Sequence, residues 1–258
     1  MANVGQASSR RKSKARGAGF AKHFVTGDVL TPLLNVWFQN GVFPDEIPLT
    51  LHPNKEKDGA FHPSSALMCE KALYAKMRGE LPPETTRAED EKTWMFGRYA
   101  HELIQWVVVD QLKLATWEDV EKEYNLRYGT AAGNEVWIRG FSDIARANVP
   151  GHDEPVLVDI KSMASRLYSL GTLPGTKDAE YRAQVSLYLE LEDLDTGIII
   201  CVEKDNPHRM REVRVERDGE LVDSILEKWE YVADALAAEE IPDCTCGDKK
   251  CPAADVYH

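Results

Sequence analysis

Two acids and a lysine carry the first chemical question this chain raises. Val156-Leu157-Val158-Asp159-Ile160-Lys161-Ser162 runs three apolar residues straight into a carboxylate and an ammonium. Side chains alternate along a strand, so Asp159 and Lys161 share one face. Earlier in the chain, Arg139-Gly140-Phe141-Ser142-Asp143 offers another acid, and Pro150 and Gly151 supply a turn between the two stretches. Neighbouring antiparallel strands would bring Asp143 and Asp159 to one spot. Two such carboxylates repel, and one keeps its proton unless a cation lies between them. A hard divalent ion that prefers oxygen ligands, Mg²⁺ or Mn²⁺, meets that need. Lys161 would then orient or deprotonate an attacking water and steady developing negative charge. Gly140 takes a side chain away beside Asp143 and lets a neighbour come close. Taken alone, an acid and a lysine two residues apart also describe a solvated ion pair on an edge strand.

Two further stretches have helical spacing. In Gly97-Arg98-Tyr99-Ala100-His101-Glu102, Gly97 and His101 are four residues apart and fall on one helix face. Glycine costs a helix about 1 kcal/mol relative to alanine, so a packing or access reason is expected at Gly97. His101 could bring an imidazole nitrogen to the same metal, although a lone helical histidine is more often a polar core or surface residue. In Tyr181-Arg182-Ala183-Gln184-Val185-Ser186-Leu187-Tyr188, Gln184 and Tyr188 again share a face. Core packing explains Tyr188 but leaves Gln184 unexplained.

In this order, a G-x-x-x-H-E helix, an acid on a strand, a D-x-K strand and a Q-x-x-x-Y helix resemble the PD-(D/E)XK nuclease superfamily, in particular its RecB-like branch. The resemblance spans residues 97 to 188 in its motifs. It implies a restriction-endonuclease-like α/β fold, a central mixed sheet flanked by helices. It also implies a metal held by His101, Asp143, Asp159 and the main-chain carbonyl of Ile160, with Glu102 beside it or on a second ion. Lys161 would position the attacking water, while Gln184 and Tyr188 would contact the strand being cut. The implied activity is metal-dependent DNA hydrolysis from the ends of single strands, in recombination, repair or DNA processing, alongside recombination or helicase proteins. A non-catalytic DNA-binding subunit of this fold, a structure- or sequence-specific endonuclease, and a zinc-stabilised RNA-processing enzyme are the alternatives.

Five cysteines are present. In the cytoplasmic setting expected here they do not suggest a disulfide framework. Cys201 lies inside the apolar run Gly197 to Val202 and reads as a core residue, whereas Cys69 stands alone and Cys244, Cys246 and Cys251 crowd the end of the chain. Four thiolates can hold zinc or an iron–sulfur cluster. The spacing of the last three is not the paired C-x-x-C of a zinc ribbon. One early cysteine with three late ones resembles the iron–sulfur RecB-like exonucleases, including the CRISPR-associated ones and AddB-type nuclease domains. That layout implies a [4Fe–4S] cluster on Cys69, Cys244, Cys246 and Cys251. One residue, rather than the family's common two, separates Cys244 from Cys246, which leaves structural Zn²⁺ open.

These side chains need a scaffold, and the periodicity supplies one. Residues 62–79 and 89–114 read as helices. Three alternating runs then follow as strands, a helix covers the stretch around Gln184, and TGIIICVEKD and MREVRVERD make two more strands before a last helix over 219–239. Such an order predicts helices on both sides of a mixed sheet. Residues 1–25 read as a disordered basic arm that reaches phosphates or merely solubilises, 26–60 as an N-terminal extension, and 61–258 as the nuclease domain. Hydrophobic residues make up 43% and charged ones 29% of 258, a globular balance without a membrane-spanning run or an evident secretory leader. The net charge of −12 argues against coating nucleic acid by bulk attraction, yet metal sites are themselves built from carboxylates.

Overall fold

The computed structural model describes residues 28–41, 58–81, 88–168, 175–204, 206, 209–246, 251–254 and 256–257. The basic arm, residues 42–57 of the extension, 82–87 of the polar linker and the loop at 169–174 lie outside the described residues.

The alternating runs form strands β1 (Val120–Gly129), β2 (Glu135–Ala147) and β3 (Val156–Met163), followed by β4 (Thr196–Glu203) and β5 (Met210–Glu216). They make one five-stranded sheet in the order β1-β2-β3-β4-β5. All neighbours are antiparallel except β3 and β4, which run parallel. Parallel neighbours need a crossover, and the chain makes it between those two strands. The helices are α1 (Leu30–Asn40), α2 (Glu70–Met77), α3 (Ala88–Trp106), α4 (Ser165–Tyr168), α5 (Gly175–Glu192) and α6 (Gly219–Ala238). The expected architecture, a mixed sheet flanked by helices, is the one the chain adopts.

Burial follows period. β4 is buried from Gly197 onward because helices cover both of its faces. On one face Ile144, Val158, Ile160, Ile198 and Ile200 pack under Leu30 and Leu34 of α1 and Ile104 of α3. The other face sets Leu157, Ile199, Cys201 and Val215 under Val185, Tyr188 and Leu189 of α5. Further along β2, Val136 and Ile138 meet Leu187 of α5 and Trp229 of α6. Trp229 is fully buried and stacks on Phe61 with ring centroids 5.4 Å apart.

Two helices depart from expectation. The stretch beginning at His62 is not one helix: a single tight turn, Pro63–Ser65, comes first, and α2 starts only at Glu70. The Ser65 hydroxyl donates to the His62 carbonyl, a local bond that competes with helix propagation. Cys69 therefore stands at the cap of α2 in extended conformation (φ −68°, ψ 158°) instead of inside a helix. The long helix expected to reach residue 114 is regular only to Trp106 and then widens into one π-type turn, Val107–Gln111. Its three successive valines are β-branched and crowd a regular turn. Among the described residues no helix is long and apolar enough to cross a membrane.

Candidate active site and thiol cluster

Asp143 is the centre of the constellation. Its Oδ1 lies 3.1 Å from His101 Nδ1, and its Oδ2 accepts the Ile160 backbone N–H at 2.5 Å. The first contact ties α3 to β2; the second ties β2 to β3. The register partners Ile144 and Val158 place Asp159 beside Asp143 across the two strands. Lys161 Nζ is 2.9 Å from each Asp159 oxygen and donates to Gln184 Oε1 at 3.4 Å, with the Tyr181 ring centroid 5.2 Å away. Two ion pairs, His101–Asp143 and Lys161–Asp159, thus stand side by side.

Their electrostatics separate the two acids. Burial pushes the Asp159 carboxyl up to about 6, and the neighbouring Asp143 charge adds to this, while Lys161 opposes it. Asp143 suffers the same burial, but His101, Lys161 and the Ile160 N–H overcome it and hold it down at about 2. His101 and Lys161 are both raised: burial works against their charged forms, and the carboxylates outweigh it. Asp159 Oδ2 is buried, and although it is near Nζ, the angle makes no hydrogen bond there. An imidazole and two neighbouring carboxylates are donor types that a hard divalent cation takes, but among the described residues the ligand atoms that lie within 4.8 Å of one another as a metal-holding group are the four thiols.

The structure also reveals a support that sequence reading missed. Gln105, one helical turn beyond His101 and buried, donates to the Asp143 main-chain carbonyl at 3.1 Å and to Glu121 Oε1 at 3.2 Å. Glu121 sits at φ 48°, a left-handed backbone conformation that ordinary residues rarely adopt. The spacing of Gln105 from His101 was the available signal. Glu102, next to His101, is half-buried.

Both flagged glycines have steric reasons. A β-carbon on Gly97 would lie 2.8 Å from Ser162 Oγ, so the helix of His101 rests directly on the strand of Lys161. A β-carbon on Gly140 would meet Tyr188 Oη at 2.8 Å and the Pro63 ring at 3.0 Å. Tyr188 packs inside the fold. It is 2% exposed, and its hydroxyl accepts the Phe141 backbone N–H at 3.2 Å, which makes it a prop under the Asp143 strand. Gly140→Ala is expected to destabilise the protein by about 1–3 kcal/mol, because neither Pro63 nor buried Tyr188 can withdraw freely. Thermal melting checks this against Gly97→Ala, which should be milder since the Ser162 hydroxyl can rotate. Equal melting temperatures for Gly140→Ala and the parent would contradict the tight approach.

The thiols form a separate centre. Cys69, Cys244, Cys246 and Cys251 bring their sulfurs within 4.8 Å of one another. Cys69 Sγ is 3.5 Å from Cys251 Sγ, and Cys244 Sγ is 3.0 Å from Cys246 Sγ. Cys251 packs among Ala72, Ala75 and Ala253, holding the end of the chain against α2. Thr245 donates to Glu70, and Lys71 Nζ donates to the Tyr257 carbonyl at 3.2 Å, so polar bonds reinforce the seam. Burial, joined by the neighbouring thiols, drives the Cys69 thiol well above its ordinary value, which a metal would reverse by favouring the thiolate. Cys201 is elsewhere, in the core beneath α5. Four close thiols can hold a metal.

The fold defined by these elements is an α/β core, a mixed five-stranded sheet flanked by helices. No protein-family model matches the sequence, and no curated protein does. Among solved structures, that of SSO0001 is similar at 15% identity with a TM-score of 0.46, covering 80% of this chain and 85% of that one. The alkaline exonuclease LHK-Exo from Laribacter hongkongensis is similar at 16% identity and a TM-score of 0.40, covering 70% and 89%. A phage related exonuclease from Haemophilus somnus 129PT reaches 17% identity and a TM-score of 0.33, covering 70% and 94%. These are distant likenesses.

Proposed function

We propose that this protein is a metal-dependent deoxyribonuclease of the PD-(D/E)XK type, an exonuclease that hydrolyses single-stranded DNA from its ends. The observation that carries the reading is the paired arrangement of His101–Asp143 and Lys161–Asp159, with two adjacent carboxylates driven in opposite directions. His101, Asp143, Asp159 and the Ile160 carbonyl would hold Mg²⁺ or Mn²⁺, with Glu102 beside them. Such an ion polarises a phosphoryl oxygen and lowers the pKa of an attacking water. Lys161, steadied by Gln184, supplies a cation for the phosphate and a handle for that water. Asp143 fixes the imidazole by its hydrogen bond to Nδ1, and Gln184 faces the strand. Tyr188 acts indirectly, through the backbone of Phe141.

The arm at 1–25 and the extension at 26–60 precede a nuclease domain over 61–258. The four thiols hold a [4Fe–4S] cluster in this reading, with structural Zn²⁺ as the alternative. A cytoplasmic setting and recombination, repair or helicase partners complete it.

End-labelled single- and double-stranded DNA, linear and circular, incubated with Mg²⁺ or Mn²⁺, tests the activity. Linear single strands should shorten from an end while circles survive. Cleaved circles would make the protein an endonuclease, and retention of DNA without cleavage would make it a binding subunit. Anaerobically purified protein should be brown and contain iron and sulfide; colourless protein with stoichiometric zinc would select the alternative.

A further inference from the structure

Arg209, just before β5, and Arg211 on β5 both lie against Tyr168 but meet different partners. The Arg209 carbonyl accepts the Glu203 backbone N–H, and its guanidinium pairs with the Glu203 carboxylate at 2.8 Å. Arg211 stands opposite Cys201, which offers a thiol in place of an acid. The Arg211 guanidinium lies 4.0 Å from Met163 Sδ and 5.1 Å from the Tyr168 ring centroid. Its Nε is buried and donates to nothing among the described residues, and none of their carboxylates pairs with it. Burying the Nε donor without a strong acceptor is unfavourable, and an added anion would satisfy it together with the guanidinium charge. Met163, Cys201 and the Tyr168 ring surround the place where the guanidinium sits.

That place belongs to the row of the candidate active site. Lys161 is paired with Cys201 on β4, and Cys201 with Arg211 on β5. Strand spacing sets Arg211 about 10 Å from Lys161, on the face covered by α5. Tyr168 from α4 lies against both arginines, 4.9 Å from Arg209 and 5.1 Å from Arg211. A guanidinium fork matches phosphate oxygens in geometry, and an aromatic face beside it suits a nucleotide base.

We propose that Arg211 and Tyr168 form a subsite for a non-scissile phosphate of the bound strand, about one or two nucleotides from the bond that is cut. The subsite rests on the nuclease reading above. It positions substrate and takes no part in bond breaking.

Binding of a labelled single-stranded oligonucleotide to the full chain, made inactive by Lys161→Ala, tests the subsite with and without Arg211→Gln. Arg211→Gln should weaken binding about tenfold and reduce the slope of log K against log salt by about 0.7, the value of one lost phosphate contact on a single strand. Arg211→Lys should restore the slope but not all of the affinity. In otherwise active protein the loss from Arg211→Gln should fall on KM more than on kcat. An unchanged slope and KM, with the parent still binding and cutting DNA, would overturn the subsite and leave the nuclease reading standing. A loss confined to kcat would place Arg211 at the reacting phosphate and overturn the subsite equally. If the parent neither binds nor cuts DNA, both readings fall.

Should Arg211→Gln fail to fold, a scan of single neutral methylphosphonates on protein with Arg211 intact decides. Weakened binding at one position flanking the cut supports the subsite, and uniform tolerance overturns it.

Discussion

Asp143→Ala is expected to reduce DNA hydrolysis by about 10³-fold or more, since on the proposed reading it removes a metal ligand and the partner of His101 in one step. The side chain has three tasks in the structure: it receives His101 Nδ1, accepts the Ile160 N–H and lowers the tolerance of Asp159 for charge. Without it the Ile160 N–H loses its acceptor, a cost of about 1–3 kcal/mol for a buried donor, so the protein should still fold. Lys161→Ala should be equally inactive by a different route. It leaves Asp159 buried without its ammonium, and that carboxyl should then hold its proton more firmly. Initial rates with linear single strands, beside circular dichroism and melting curves, separate the two effects. Substantial activity in either folded variant would remove the site assignment.

The thiol cluster predicts the second large effect, on stability. Cys69 and Cys251 lie 182 residues apart in sequence, and every strand falls between them. A cross-link closing so long a loop stabilises a fold by roughly 4–5 kcal/mol in the chain-entropy model, and a metal clip acts as one. Cys69→Ala would leave three ligands and should lower both metal content and melting temperature, the latter by roughly 10 °C or more for a domain of this size. Cys201→Ala, outside the cluster, should leave metal content unchanged. If the Cys69→Ala protein melted with its parent and kept its metal, Cys69 would not be a ligand.

How far the sequence was legible depended on the range of each interaction. The strand period of VLVDIKS and the helical spacings of Gly97 with His101 and of Gln184 with Tyr188 are local, and the elements around them were read correctly. Joining Cys69 to the three late cysteines needed the family layout, because no local rule links residues so far apart. The bond from Phe141 to Tyr188 was not legible, because the burial of Tyr188 depends on Gly140, on another element, being small enough to admit it. The break between Pro63 and Glu70 hangs on one serine hydroxyl. Arg211 carried no signal, since its place in the row of Lys161 appears only when Cys201 is seen between them. Gln105 was missed for want of a charge, though it stands one helical turn from His101.

Because Gly97 brings a helix backbone into direct contact with Ser162, two distant segments share a single bearing. The imidazole one turn along the helix and the ammonium one residue before the serine are therefore spaced by one contact. Bulk at that bearing would displace the imidazole and the ammonium together, with no change of any charge.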